Sequence, residues 1–491
     1  MKVFRTFGIA MLALLACASL ASAQEPFTAG TWTATATAPP SAVAHPLLLS
    51  DGSVLINSFF FEPHVDSWYR LVPDKTGSYI HGTWVSAGAA PSGYNPLYFA
   101  SQVLPTAGAV AIMGGEYNNG SGVWTTLGAL YVPTLNKWLS LTAPTGWTTV
   151  GDAQSVILPN GKMMLANCCT TQEAIMTLSS KGVASWTATG TGKFDWNDEE
   201  GWTQLPGGKI LTVDTYVNGG CCKLGYQIYD ASTGAWTTPS NNTVVNLVDP
   251  SSAELGPGPL LPNGTVFYAG GTTNNAIYTV STGTWAAAPK FGGTLDIADG
   301  PAAVLPDGNA LFDTSPGVFG TGSKFFEWDG SALHAVPGPP NAAVDSSYVG
   351  NMVVLPTGQV LFTDFSSSVE IYTPSGAPCA GCAPTIKSVA TTLTHGSKNN
   401  KIIGTQFNGV SQGGYYGDDN QSSTNFPLVR ITDSTGAVVY CRTHNWLGGV
   451  QTGATLVGAQ FDIPSTIALG AGTLQVVTNG IPSASVSVTI I

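Results

Sequence analysis

Acidic and phenolic side chains return at one place in a repeated pattern along this chain: Asp152, Glu199 with Glu200, Glu254, Asp299 and Tyr348. Each stands a short, near-constant distance before a Leu that opens a Gly-ended turn. Collected at one point, such groups offer oxygen donors only. Carboxylates that close repel one another unless a cation, a bound ligand or raised pKa values relieve them. Hard oxygen donors suit Ca2+ or Mg2+, and one imidazole added to the set also admits Mn2+ or Zn2+. Taken singly, each acid reads as a hydrogen-bond acceptor for backbone N–H groups between repeats. Their shared position is what points to a ligand site.

The elements that must position them are set by the turns. Leu49-Ser50-Asp51-Gly52, Leu104 to Gly108, Leu158-Pro159-Asn160-Gly161, Leu205 to Gly208, Leu261-Pro262-Asn263-Gly264, Leu305-Pro306-Asp307-Gly308 and Leu355-Pro356-Thr357-Gly358 each interrupt two hydrophobic runs. Pro presets φ for such a turn and Asn, Asp or Gly accept φ > 0, so each anchor reads as a hairpin. The anchors return roughly every fifty residues, the signature of a kelch-type β-propeller, here with seven blades. Each repeat goes on to a strand with Tyr and a strand opening with Trp, as in Tyr131 to Trp138, Tyr229 to Trp236 and Tyr278 to Trp285. One large aromatic pair per repeat reads as packing between blades. The seventh repeat ends at Tyr372 without a Trp strand, and a lone Trp32 strand precedes the first anchor. The N-terminal strand is therefore expected to close the last blade, leaving no open edge. In a propeller the acid positions converge on one mouth of the central channel.

Only 9% of the residues are charged and Gly reaches 59 of 491, as in turn-rich all-β extracellular proteins. Residues 1–23 read as a signal peptide: Lys2 and Arg5, an apolar stretch from Phe7 to Leu20, then Ala21-Ser22-Ala23 before Gln24. A lipoprotein leader ending at Cys17 is the rival reading, and no other run reaches the ~20 apolar residues of a membrane helix. The expected location is secreted or periplasmic. Acidic side chains outnumber basic ones 29 to 17, which argues against nucleic acid and anionic membranes as partners and favours cations or neutral, sugar-like ligands.

Residues 24–377 are assigned to the propeller and 378–385, rich in Pro, Gly and Cys, to a linker. Residues 386–491, with about seven short β-like runs, form an immunoglobulin-like (early-set) sandwich. In an oxidising compartment the cysteines pair. Cys168-Cys169 and Cys221-Cys222 hold the same place in adjacent repeats, and either staple the blades or close on themselves as vicinal disulfides. Cys379 and Cys382 close a small linker loop, which leaves Cys441 over and buried. Glu62, His64 and Asp66 read as a solvated loop near the acids, whereas His45, His81, His334 and His395 show no partner spacing.

A kelch-type propeller followed by such a sandwich, with the run from Tyr348 to Gly358 and with Thr443-His444, resembles the galactose oxidase and glyoxal oxidase family over nearly the whole chain beyond the leader. The resemblance implies one copper held by two Tyr and two His, one tyrosine being cross-linked through sulfur to a Cys and carrying a radical. Carried over by position, Tyr348 stands for a tyrosine ligand and His444 for the histidine that reaches in from the sandwich. The chain departs at the other three: Val349 replaces the adjoining His, Asp152 the radical Tyr and Phe99 the cross-linked Cys. Without the Tyr–Cys pair the copper's single electron has no partner for a two-electron oxidation.

Three classes of function follow. The first is a secreted binding protein that holds a glycan or other extracellular ligand at the acidic mouth. The second is a carboxylate-based hydrolase or lyase using paired acids. The third is a copper radical oxidase. A raised pKa within a pair of acids favours the second.

Overall fold

The structure, a computed structural model, describes residues 27–59, 67–179, 182–217, 220–221, 224–412, 414–415 and 421–491. The expected leader, Cys222, and Glu62, His64 and Asp66 lie outside them. Among the described residues the only helical element is one 3-10 turn, Ser347–Val349; everything else regular is strand. No helix is long and apolar enough to cross a membrane.

Each anchor turn falls in its own antiparallel meander. In the first, Val43–Leu48, Val54–Ser58, Ser67–Val72 and Thr83–Ala89 pair in chain order. At the turn, Gly52 N donates to Leu49 O at 2.9 Å and Leu49 N to Ser53 O at 2.8 Å, with Gly52 at φ 79°. The same pair of bonds closes the turns at Leu158, Leu261, Leu305 and Leu355. The positive φ is what a hairpin of this kind requires, and Gly takes it without a Cβ clash.

Burial falls from the axis outward. Ala100–Val103, Val110–Met113, Asn351–Val354 and Val360–Thr363 are buried along their whole length, while the outer strand Thr83–Ala89 is mostly exposed. Inner strands covered by neighbouring sheets on both faces lose the apolar–polar alternation of a half-exposed strand. The fifth repeat is the exception. Pro257 and Pro259 lack the N–H that a ladder needs, and its innermost segment is reduced to a bridge between Leu260 and Val266.

The N-terminal strand joins the last meander. Thr31–Ala34 pairs with Glu370–Thr373, setting Trp32 opposite Tyr372, and Gly30 N donates to the Tyr372 hydroxyl at 2.8 Å. The sandwich packs one sheet of Thr385–Val389, Asn400–Thr405, Val457–Phe461 and Thr443–His444 on a second built around Leu428–Thr432, Gly470–Thr478 and Val486–Ile490. Its core, with Phe407, Leu428, Phe461 and Leu474, is continuous with that of the first repeat. Cys441 is free and buried there.

A feature absent from the sequence reading ties the two parts together. Past the strand Asn400–Thr405, the sandwich chain runs into the propeller axis. Gln412 N donates to Leu260 O at 3.0 Å, Gly414–Tyr415 adds to the inner strand Ala302–Val304, and Ser422 Oγ donates to Met352 O at 2.6 Å. Gln421 N donates to Ser101 Oγ at 3.2 Å, and that hydroxyl lies 3.0 Å from His45 Nε2. Inner strands of several repeats thus share one polar insertion, which satisfies groups that an empty channel would leave to water. Burial holds His45 down to about 4, so it is a neutral hydrogen-bonding member of this network.

Candidate functional site

The acids stand at the other end of the inner strands, away from the anchor turns. Glu199, Glu254 and Asp299, from three successive repeats, each offer an oxygen, and these oxygens lie within 4.8 Å of one another. The backbone presents them at a cost: Glu199 and Asp299 sit at φ 53° and 59°, and Ala253 at 68° just before Glu254. Gly151, before Asp152, has φ 65°. Left-handed residues at the matching point of successive repeats bend each strand start toward the axis, and strain of this kind in non-Gly residues collects at functional sites.

The ring continues on both sides. Asp198 lies beside Cys168, Sγ to Oδ1 3.8 Å, and the structure joins Cys168 to Cys169. Burial raises the Tyr216 phenol above its ordinary value, and the charges of Asp198, Glu199 and Glu254 add to that shift. Tyr117 is likewise raised, first by burial and then by Glu116, Asp152 and Tyr348. Ser347 Oγ donates to Asp299 O at 2.8 Å, and Tyr98 Oη donates to Tyr348 O at 3.2 Å. Asp152, Glu199, Glu254, Asp299 and Tyr348 therefore belong to one mouth. Asp198 and Tyr216, missed from the sequence, join them from adjoining loops; the run Asp198-Glu199-Glu200 was the one signal for Asp198.

Glu200 does not join the mouth. It is buried behind it with the Lys193 ammonium, 3.1 Å from its Oε2, and accepts from Trp202 Nε1 at 3.2 Å. Lys193 also pairs with Asp195, whose other oxygen accepts from Thr215 N at 3.0 Å, and the Thr215 hydroxyl donates to Asp198 O. Burial works against the Lys193 ammonium, but the charges of Asp195 and Glu200 outweigh it and hold the proton on. This buried network braces the loop that presents Asp198 and Glu199. Replacing Lys193 by Met leaves buried acids uncompensated, and the expected loss is roughly 3–5 kcal/mol of stability in a denaturant titration.

His444 is also elsewhere. Its strand docks on the anchor turns, with Thr443 N donating to Ser50 O at 3.1 Å and Asn445 N to Pro105 O at 2.7 Å. Its Nε2 faces Asp462 Oδ1 at 3.3 Å, beside Arg442. The sandwich strand that carries it is anchored at the opposite end of the inner strands, so Tyr348 and His444 do not share a metal. Phe99 is buried against Trp68 and His45, ring centroids 6.0 and 5.5 Å away. The set at the mouth is carboxylate and phenol, not the two-Tyr, two-His set of the copper family, and copper does not fit it.

Among the described residues Cys168 pairs with Cys169 and Cys379 with Cys382, with no staple between blades at Cys168 or Cys169. Cys221 is disulfide-bonded as well.

No known protein-family profile matches the chain, and no curated protein matches it. Among solved structures, a fungal alcohol oxidase of the AA5 family in complex with copper superposes over 94% of this chain and 99% of its own, with TM-score 0.51 and 13% identity. A streptogramin B lyase aligns over 71% of this chain and 98% of its own, at TM-score 0.47 and 10% identity. A Staphylococcus aureus virginiamycin B lyase variant with quinupristin aligns over 70% and 99%, at 0.46 and 9%. The first of these shows that the fold is galactose-oxidase-like.

Proposed function

We propose that the protein is an exported ligand-binding propeller whose acidic mouth holds a hard divalent cation on Glu199, Glu254 and Asp299, and through it the hydroxyl groups of an extracellular glycan or small ligand. The observation that carries this is the approach of three carboxylates, from three repeats, to within 4.8 Å. At an effective dielectric of about 20, each ionised pair at that range costs roughly 3–4 kcal/mol, which a bound cation relieves. Six or more oxygens complete a calcium shell, so water and ligand hydroxyls share it with the three carboxylates. Metal-stripped protein is expected to take up one Ca2+ per chain in calorimetry; heat indistinguishable from dilution counts against the reading. Copper-loaded protein is expected to form no H2O2 with galactose, glyoxal or methylglyoxal, since Asp152 and Phe99 stand where the Tyr–Cys pair would form.

One observation favours the hydrolase reading as the second choice. Burial, then the charge and hydrogen bond of neighbouring Asp364, raise Asp345 to about 7. Two neighbouring carboxyls, one of them raised toward neutrality, are the arrangement general acid–base catalysis needs. Release of reducing sugar from a polysaccharide, lost in Asp345→Asn, would select it.

A further inference from the structure

The mouth carries apolar plates between its acids, and these rest on the reading of the mouth as a ligand site but not on the cation. Trp196 is 37% exposed, its backbone N–H donates to Tyr216 O at 2.9 Å, and its ring stacks on Tyr216 at 6.3 Å with 29° between planes. Trp124 is 44% exposed. A Cβ on Gly151 would meet the Trp124 ring at 3.3 Å and Cys168 Cβ at 3.1 Å, so the indole packs against the backbone just before Asp152. Between the two indoles runs the Cys168–Cys169 disulfide, with Asp198 against it. The order around this arc is indole, carboxylate, disulfide, carboxylate, indole. Each indole packs on protein and leaves part of its surface to solvent, and an aromatic side chain with two torsions costs little entropy when a ligand settles.

We infer that Trp124 and Trp196 are stacking subsites for a neutral oligosaccharide that lies along this arc, its apolar C–H faces on the indoles and its hydroxyls toward Asp152, Asp198 and Glu199. A pyranose ring has that division: one face of weakly positive C–H groups, which suits the negative face of an aromatic ring, and an edge of hydroxyls that donate to carboxylates. Uronic acids and sulfated sugars are repelled by the same acids. A long flexible peptide offers no comparable repeat of flat apolar faces and hydroxyl edges. Basic ligands would be drawn by the acids and by the indole faces alike, and the test sets them directly against the neutral sugars.

The test uses the secreted protein and its Trp124→Ala, Trp196→Ala and Trp196→Phe variants, each checked for an unchanged melting temperature. Binding is measured to a fluorescent panel of neutral hexasaccharides from β-glucan, xylan, mannan and galactan, with Ca2+ uptake measured by calorimetry in parallel. The expected result is that at least one hexasaccharide binds, that each Ala variant binds it about tenfold or more weakly, that Trp196→Phe keeps most of the affinity, and that Ca2+ uptake does not change. Loss of sugar binding in the Ala variants of a protein that takes up no Ca2+ would support these subsites while removing the cation reading. Equal sugar affinity in wild type and both Ala variants overturns the inference. So does a wild type that binds no panel member, or one that binds spermine or oligolysine through the same two rings instead.

Discussion

Adding Ca2+ to metal-free protein is expected to raise its melting temperature by several degrees, and the triple replacement Glu199→Gln, Glu254→Gln and Asp299→Asn to abolish the rise. A ligand at 100 times its dissociation constant contributes about 2.7 kcal/mol, because it binds the folded chain and not the unfolded one. The same replacement makes the metal-free protein more stable than metal-free wild type, since three carboxylate oxygens within 4.8 Å no longer repel. The two effects have opposite sign, and this separates a cation site from a structural cluster. Acids that merely accepted backbone N–H bonds would lose stability on neutralisation and show no response to Ca2+ or to chelator. Glu200→Gln serves as the control. It weakens the Lys193 network and lowers stability, but leaves the Ca2+ response in place because Glu200 faces away from the mouth.

Stability is expected to fall as the pH rises from 5 to 8.5, and Glu173→Gln to remove the largest single share of the fall above neutrality. Burial drives Glu173 up to about 8, against the partly opposing hydrogen bond from Trp236 Nε1 and the charge of Lys193. Burial likewise raises Asp214, Asp296 and Asp345 to about 7 each. For an acid whose folded pKa is raised, the unfolded chain ionises first. The stabilisation is complete near and below pH 4 and is lost as pH climbs to the folded value. His45, held down to about 4, works the other way between about pH 4 and 6.5, because only the unfolded chain takes up its proton there. Above that window it no longer opposes, and Glu173 alone accounts for about 2 kcal/mol between pH 6.5 and 8. Melting temperatures across this range, for wild type and Glu173→Gln, measure the effect. A wild-type curve that rises from pH 6.5 to 8 would show that Glu173 is ionised in the folded chain.

Local chemistry made much of this fold readable in advance. Seven Leu-led turns ending in Gly demand hairpins because Gly alone takes φ near +80° without strain, and the Trp32 strand had no partner unless the ring closed on it. The acids at the strand starts were legible for the same reason, since their distance to a turn is a property of the chain. What the spacing left open was which way a side chain points. Glu199 and Glu200 are neighbours, and neighbours in an extended strand point to opposite sides. The left-handed turn at Glu199 sends one carboxylate to the axis and the next into the seam where Lys193 waits.

Position in a motif did not decide position in space either. Thr443-His444 matches a metal-ligand motif, yet the bonds from Thr443 to Ser50 and from Asn445 to Pro105 hold it at the far end of the inner strands. The axis is reached instead by Gln412, Gly414–Tyr415 and Gln421, which carry no motif and are recruited because buried strand groups need hydrogen-bond partners. Asp198, Tyr216, Trp124 and Trp196 likewise sit in connecting segments with no period to betray them. Strand periodicity and turn chemistry act within a few residues and were determined by the sequence alone. Which loops share one mouth depends on how the sheets pack around an axis, and only the tertiary structure decided it.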